Sequence, residues 1–308
     1  MLRFAVAFVT GVLSLAVAGA ARADGGSVLF AADKAIWKTE GTGKGEPTKI
    51  VDLSADAGKV TRIEAQDKGR YLLLEIDGVI AYADVERSPG KPVPLDCASH
   101  ARLSPDGGCI GCIDGKGRLV IHVLETGKKR VLEKVKPTDF GFASRTRLAV
   151  ARTRSISFVS VAKGKQLEKV ASFAPDSSLL VSPSGDRAVA AFENGNGKVL
   201  YGFKLDGKAA RRKLTAGTPT RWSRDSKWII AQSGDRTCVV RAVGGEYKCW
   251  NGYIGIALSP DDSEFLLAQK NSGGNYTLFK AAMAGARPET PKQWRQAESP
   301  AASWLAGE

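Results

Sequence analysis

Apolar segments of about four residues recur along most of the chain, and each follows a short polar turn. Runs at residues 71–74, 188–191, 228–231 and 265–268 each begin shortly after a turn rich in Ser, Asp or Gly. A second apolar segment and then a more polar one follow each run. Short segments separated by turn residues every 8–12 positions or so predict antiparallel β-strands. No stretch beyond residue 23 shows a sustained helical period.

The turns themselves repeat. Ser-Pro-Asp-Gly at 104–107 recurs as Ser-Pro-Ser-Gly at 182–185, Ser-Arg-Asp-Ser at 223–226 and Ser-Pro-Asp-Asp at 259–262. Weaker copies complete the series and begin at residues 66, 143 and 299, so that successive copies start 36 to 41 residues apart. A four-stranded unit repeated at roughly 40 residues has the size of a β-propeller blade.

This repeat predicts an all-β chain that forms a seven-bladed β-propeller of four-stranded antiparallel blades. A six-bladed ring and a pair of β-sandwich domains are the alternatives, but sandwich strands do not return one turn tetrapeptide at a fixed spacing. The segments at 28–32, 35–38 and 49–53 match the second, third and fourth strands of a blade. The C-terminal segment at 293–298 is expected to supply the first strand of that blade and so to close the ring.

The N-terminus has the pattern of a secretory signal peptide. Arg3 is followed by an uncharged apolar run at 4–20 and by Ala-Arg-Ala at 21–23, which matches an A-x-A cleavage site. We expect cleavage near Ala23, a periplasmic or extracellular location, and a single propeller domain over 24–308 that does not span the membrane. An uncleaved N-terminal anchor is the alternative.

The charge of the chain bears on the class of its partners. Forty-five Lys and Arg residues stand against 32 Asp and Glu residues, a formal net charge of +13. The bases are scattered and aromatic residues make up only 7% of the chain, which argues against a nucleic-acid partner. In an exported protein this balance favours an acidic envelope protein or an anionic glycan.

Five cysteines fit an oxidising compartment. Cys238 and Cys249 flank a Gly-Gly turn and lie opposite each other in a hairpin centred there, which predicts a cross-strand disulfide. Cys97 is expected within reach of Cys112 across the neighbouring hairpin, which would leave Cys109 free. A bond between Cys109 and Cys112 is the alternative.

Few residues suit catalysis or metal binding. The two histidines, His100 and His122, could join Asp96 or Asp114, but no further His stands at ligand spacing. The Asp of each repeated turn is expected to serve the turn, since Asp bonds to nearby backbone N–H groups there. We therefore predict no catalytic residue, no metal and no cofactor.

Two sets of basic residues are candidates for binding. Connections between the second and third strands of a blade lie on one face of a propeller, and six of the seven carry a base; the set is Lys34, Lys116, Arg152, Arg154, Lys198, Arg236 and Lys270. A second set on the innermost strands is expected to face the central channel, namely Arg62, Arg102 and Arg221.

The Ser-Pro-Asp-Gly turns, with Pro-Thr-Arg-Trp-Ser at 219–223 leading into one of them, resemble the propeller repeats of TolB and related, WD-repeat-like periplasmic proteins. The resemblance implies a monomeric, non-enzymatic, exported scaffold that binds protein partners in the cell envelope. A carbohydrate-active or metal-dependent enzyme that uses the central channel is the alternative function.

Overall fold

The computed structural model describes residues 26–66, 70–87, 89–173, 175, 177–208, 210–284 and 287–305. The signal peptide predicted at 1–23 lies outside these residues. Within them the regular structure is almost entirely β, with one 3₁₀ turn at Val85–Arg87. None of the described residues forms a helix long and apolar enough to cross a membrane.

In chain order the first fifteen strands are β1 (Ser27–Ala32), β2 (Ala35–Glu40), β3 (Thr48–Asp52), β4 (Val60–Ala65), β5 (Tyr71–Ile76), β6 (Val79–Asp84), β7 (Val93–Pro94), β8 (Ser99–Leu103), β9 (Cys109–Ile113), β10 (Leu119–Val123), β11 (Lys128–Leu132), β12 (Asp139–Ser144), β13 (Arg147–Arg152), β14 (Ser155–Ser160) and β15 (Gln166–Ala171). The others are β16 (Ser177–Val181), β17 (Arg187–Glu193), β18 (Lys198–Lys204), β19 (Arg212–Ala216), β20 (Thr218–Trp222), β21 (Trp228–Ser233), β22 (Arg236–Arg241), β23 (Glu246–Asn251), β24 (Ile254–Leu258), β25 (Glu264–Lys270), β26 (Tyr276–Ala282), β27 (Lys292–Ala297) and β28 (Ala302–Leu305).

These strands form seven antiparallel sheets of four, and the sheets are the blades of a seven-bladed β-propeller. Blades 2 to 7 each use four consecutive strands, starting with β4, β8, β12, β16, β20 and β24 next to the central channel. Blade 1 has the order β28-β1-β2-β3. The predicted fold class and blade number are thus confirmed, and the six-bladed and sandwich alternatives are wrong.

The C-terminal strand closes the ring as predicted, but the prediction misplaced it by one segment. The stretch expected at 293–298 belongs to β27, which pairs with β26 as the outermost strand of blade 7. The closing strand is β28, in which Trp304 is opposite Val28. The prediction failed because Ser-Pro at 299–300, which resembles the repeated turn, connects β27 of blade 7 to β28 of blade 1. Every residue of β28 is buried, whereas most of β27 is exposed or half-buried.

The hydrophobic core lies between the blades. Leu72, Leu73 and Leu74 of β5 are fully buried although their side chains point to alternate faces of the sheet. Each face of a middle strand packs on a neighbouring blade; Phe158 of blade 4, for example, shares a cluster with Leu179 of blade 5. This two-sided burial explains why the sequence shows continuous apolar runs where a one-sided sheet would show alternation.

The repeated turn is held by its own Ser and Asp side chains. The Ser104 hydroxyl accepts a hydrogen bond from Cys109 N–H at 2.9 Å and donates one to Asp106 at 2.6 Å. Gly107 follows with a φ of 70°, in the left-handed region that glycine occupies without strain. The turns at Ser223 and Ser259 use the same two hydrogen bonds. The aspartate therefore has a structural task in the blade.

Two disulfides cross-link the blades internally. Cys238 and Cys249 are bonded between neighbouring strands of blade 6, and Cys97 is bonded to Cys112 in blade 3. Cys109 is a buried free thiol. Both predicted bonds are confirmed, and the alternative Cys109–Cys112 bond is not formed. Structural disulfides indicate a compartment outside the cytoplasm.

Candidate functional site

A cavity of about 670 Å³ occupies the central channel at the end where the Ser-Pro-Asp-Gly turns lie. Residues from the innermost strands of all seven blades line it, together with turn residues such as Pro105, Pro183 and Pro260. Cavities of this size are typical of small-molecule sites. All three arginines assigned to the channel from the sequence, Arg62, Arg102 and Arg221, are in its wall.

Glu64 stands between the three arginines. It forms an ion pair with Arg62, and its other oxygen accepts a hydrogen bond from Leu103 N–H at 3.2 Å. Arg62 also donates to the carbonyl of Ala101 in the next blade at 2.9 Å. These contacts fix the Arg62 side chain across the boundary between blades 2 and 3.

Arg221 crosses from blade 6 to the opposite side of the ring. One of its terminal nitrogens donates to the Ser303 hydroxyl of blade 1, and the other donates to the Ile63 carbonyl of blade 2, each at 3.1 Å. The guanidinium is therefore held in a fixed orientation by two acceptors on two blades, and it shares the cavity wall with Ser303.

Arg102 is the arginine with the weakest protein contacts. It donates to the Ala101 carbonyl at 3.2 Å, and its other terminal nitrogen is 3.9 Å from Asp139. Asp139 is engaged elsewhere, because it accepts hydrogen bonds from His100 at 3.0 Å and from the backbone N–H of Leu179 at 2.6 Å. The Nε of Arg102 is buried and has no partner among the described residues.

The electrostatics of the cavity favour negative charge. Burial would raise the pKa of the Glu64 carboxyl, but the charges of Arg62, Arg221 and Arg102 outweigh burial and lower it. Burial also lowers the pKa of the Arg102 and Arg221 guanidiniums, and the charge of Arg62 acts in the same direction. Arginine nevertheless stays protonated in proteins, so the cavity keeps its positive groups.

β-Bulges set the direction of these side chains. The pairing between the first and second strands shifts register just before Arg62, Arg102 and Arg221. A bulge re-aims the residues beside it, so simple strand alternation is interrupted at these three positions. Sequence reasoning missed Glu64 and Asp139. The repeat contained a signal for Glu64, since it stands two residues before its turn, as Arg102 and Arg221 do.

The second basic set lies in the connections where the sequence placed it. All its members lie in or beside the connection between the second and third strands of a blade, and we call this side of the disc the loop face. Six of the seven blades place an exposed lysine or arginine there: Lys34, Lys116, Arg154, Lys198, Arg236 and Lys270. The seventh member, Arg152, is half-buried and donates to Gln166 at 2.8 Å. The first strand of each blade ends, and the repeated turn begins, on the opposite side of the disc. We call that side the turn face.

Acidic residues share the loop face, but the negative charge of one of them is paired with an arginine. Asp114 is buried beneath its connection and accepts hydrogen bonds from both the side chain and the backbone of Arg118, which lowers the pKa of its carboxyl to about 2. Asp33, Asp77, Glu193 and Asp235 also belong to these connections. These connections therefore carry both charges, with the bases in excess.

The two histidines do not meet. His100 pairs with Asp139 at the channel, whereas His122 Nε2 lies 3.9 Å from the sulfur of Cys97 in blade 3. Asp96 is bound to Lys129 and Asp114 to Arg118, so the combinations considered from the sequence are not assembled. Cys97, Cys112 and His122 cluster closely enough for a metal, but both sulfurs belong to the disulfide.

Comparison with known proteins bears on the fold. No protein-family description and no curated protein sequence matches the chain. Solved structures do match: Kluyveromyces lactis Hsv2 has a TM-score of 0.52 and 15% identity over 75% of this chain and 74% of its own. The Cps50 (Swd1) β-propeller domain of Myceliophteria thermophila has a TM-score of 0.54 and 12% identity, over 79% of this chain and 90% of its own. At this identity the likeness to these WD40-like propellers shows the fold.

Proposed function

We propose that the protein is an exported, non-enzymatic scaffold that binds an acidic partner protein of the cell envelope through its loop face. The observation that carries this proposal is the recurrence of an exposed base at the same connection in six of the seven blades. A ring of like charges spaced around a rigid disc presents a broad surface, which suits a protein better than a small molecule.

Location and repeat type support the same function. Two disulfides fit an oxidising compartment, and the signal-peptide pattern at 1–23 fits export. The Ser-Pro-Asp-Gly turns support a propeller of the TolB-like periplasmic kind. The export step is tested by the mass of the protein recovered from the cell envelope, which we expect to correspond to a chain that begins at Asp24.

The channel favours binding over catalysis. An acid catalyst needs a carboxyl group that holds its proton near neutral pH, and the pKa of Glu64 is shifted in the opposite direction. Asp139 is likewise kept ionised, because hydrogen bonding from His100 and the charge of Arg102 outweigh burial and lower its pKa. Both carboxylates therefore serve to balance and position arginines.

Chemical crosslinking in the native envelope tests the scaffold function. We expect the wild-type protein to capture a defined acidic protein, and a triple variant on the loop face, Lys116→Glu, Arg154→Glu and Lys198→Glu, to lose about tenfold or more of that capture. The matched control reverses Lys128, Lys163 and Lys165, which are exposed on the turn face. Equal loss in both variants, or capture of a glycan without protein, would contradict the proposal.

A further inference from the structure

The channel cavity offers a second binding site, for a different class of ligand. We propose that Arg62, Arg102 and Arg221 bind a small organic anion that carries carboxylate or phosphate groups. The site uses none of the loop-face residues, so this inference goes beyond the scaffold function and stands independently of it. Arginine suits this role because its planar fork matches both carboxylate and phosphate oxygens.

The balance of charge around the cavity leaves positive charge to be neutralised. Among the described residues that line the cavity, Glu64 is the carboxylate, and it faces Arg62, Arg102 and Arg221 together. Asp139 lies behind the wall and already accepts hydrogen bonds from His100, Phe140 N–H and Leu179 N–H. An anion in the cavity would therefore offset charge that the protein does not offset itself.

The arginines also have N–H groups that no acceptor in the described part of the chain engages. Arg62 and Arg221 each use their terminal nitrogens for two acceptors, and Arg102 uses one nitrogen for the Ala101 carbonyl. A guanidinium carries more N–H groups than these hydrogen bonds engage. Arg102 is the clearest case, because one of its terminal nitrogens makes no hydrogen bond to the described residues and lies 3.9 Å from Asp139. Because Arg62 and Arg221 are already held by hydrogen bonds to neighbouring blades, little side-chain ordering would be needed on binding.

The rest of the wall suits an organic ligand. Phe142, Leu180, Trp222 and Leu258 supply apolar surface to the same cavity. Trp222 is held in place because its indole N–H donates to the Leu180 carbonyl at 3.2 Å. A ligand with an apolar body and one or two anionic groups fits this combination, and Trp222 gives a fluorescence signal for its arrival.

Isothermal titration calorimetry, supported by tryptophan fluorescence, tests the site in the mature protein. The probes are citrate for carboxylates, inorganic pyrophosphate and glucose 6-phosphate for phosphates, and glucose as the neutral comparison, all at one fixed ionic strength. We expect saturable binding of at least one anion and none of glucose. The anion that binds tells which of the two chemistries the site accepts. Absence of binding by every anion would overturn the proposal.

Substitutions of the arginines test whether the anion binds in the cavity. We expect Arg102→Met to weaken it by about tenfold or more, because Met keeps the length of the side chain and removes the charge. Arg221→Lys keeps a charge but loses the fork, and we expect a loss of similar size. Lys163→Gln removes one charge from the turn face outside the cavity, and should leave binding within about twofold. Equal effects of Arg102→Met and Lys163→Gln would show that only the general charge of the surface attracts the anion.

The melting temperature of each variant guards against misfolding. We expect Arg102→Met to melt close to wild type, because the Arg102 side chain makes only one hydrogen bond to the described residues, at 3.2 Å. If Arg102→Met misfolds, Arg221→Lys decides the question alone. Failure of anion binding would leave the loop-face crosslinking result untouched, so the two proposals fail separately.

Discussion

The side chains of Asp262 and Asp225 interact across the boundary between blades 7 and 6, and one carboxyl oxygen of Asp262 is buried there with no hydrogen-bond partner among the described residues. Asp262 ends the turn of blade 7, at the position that Gly107 occupies in blade 3, and has a φ of 57°. Burial, reinforced by the charge and the hydrogen bond of Asp225, raises the pKa of Asp262 from 3.8 to about 7. The two carboxyl groups therefore share a proton below neutral pH.

This pair makes stability depend on pH. Between pH 4 and 7 the folded protein keeps a proton on Asp262 that the unfolded chain releases, so the free energy of unfolding should fall as the pH rises through this range. The side chain of Asn does not titrate, so Asp262→Asn should remove this part of the pH dependence of stability. Because the side chain is half-exposed, solvent screening limits the difference to about 1–2 kcal/mol.

Urea unfolding of wild type and Asp262→Asn at several pH values from 4 to 8 measures that difference directly. Lys227 and Asp261 also face the pair. In the folded protein the pKa values of Asp225 and Asp261 are lowered and that of Lys227 is raised, so Asp262 is the group of this cluster that titrates between pH 4 and 8. The control is Asp235→Asn, an exposed residue of the loop face. Parallel curves for wild type and Asp262→Asn would contradict the assignment.

The turn serine gives a second prediction. Ser104 is fully buried, and its hydroxyl accepts the N–H of buried Cys109 at 2.9 Å. Ser104→Ala leaves that N–H without its acceptor, and we expect a loss of about 1–3 kcal/mol in the free energy of unfolding. The exposed Ser272 supplies the control, since Ser272→Ala should change stability by less than about 0.5 kcal/mol. Equal effects would show that the turn does not depend on this hydroxyl.

The repeat made the architecture predictable from the sequence, because the serine of the repeated turn accepts a backbone hydrogen bond in the same way in four blades, at Ser104, Ser182, Ser223 and Ser259. The closing strand was misplaced because Ser-Pro at 299–300 imitates that turn, although here it connects β27 to β28. Arg62, Arg102 and Arg221 lie in the channel wall, where the sequence placed them, but the hydrophobic pattern does not reveal the β-bulges beside them. The long reach of Arg221 to Ser303 depends on ring closure, which brings distant blades together. The ion pair of Arg62 with Glu64 forms within β4.

The disulfides give a third prediction. Cys97 and Cys112 are 15 residues apart, and closing such a loop stabilises a fold by about 3 kcal/mol through the unfolded chain. The 11-residue separation of Cys238 and Cys249 predicts a slightly smaller gain. We expect each double Cys→Ser variant to lose stability by these amounts in urea unfolding.

Reduction supplies the matched control for the disulfides. Dithiothreitol should destabilise the wild-type protein by about the sum of the two effects, and should have no effect on a variant that lacks all four of these cysteines. Cys109, the buried free thiol, remains in that variant. A continued response to dithiothreitol would mean that Cys109 takes part in another bond.

Closure of the ring by β28 gives the last prediction. All four residues of β28 are buried, and Ser303 receives the hydrogen bond from Arg221 of blade 6. A chain that ends at Ala301 would leave β1 as an exposed, hydrophobic strand edge and would open the channel wall, so we expect it to aggregate or to unfold without a sharp transition. A chain that ends at Leu305 keeps β28 and is the control, and it should unfold as the full chain does. Size-exclusion chromatography and thermal unfolding by circular dichroism compare the two. If the shorter chain stayed monomeric and melted cooperatively at the temperature of the control, the ring would hold together without its C-terminal strand.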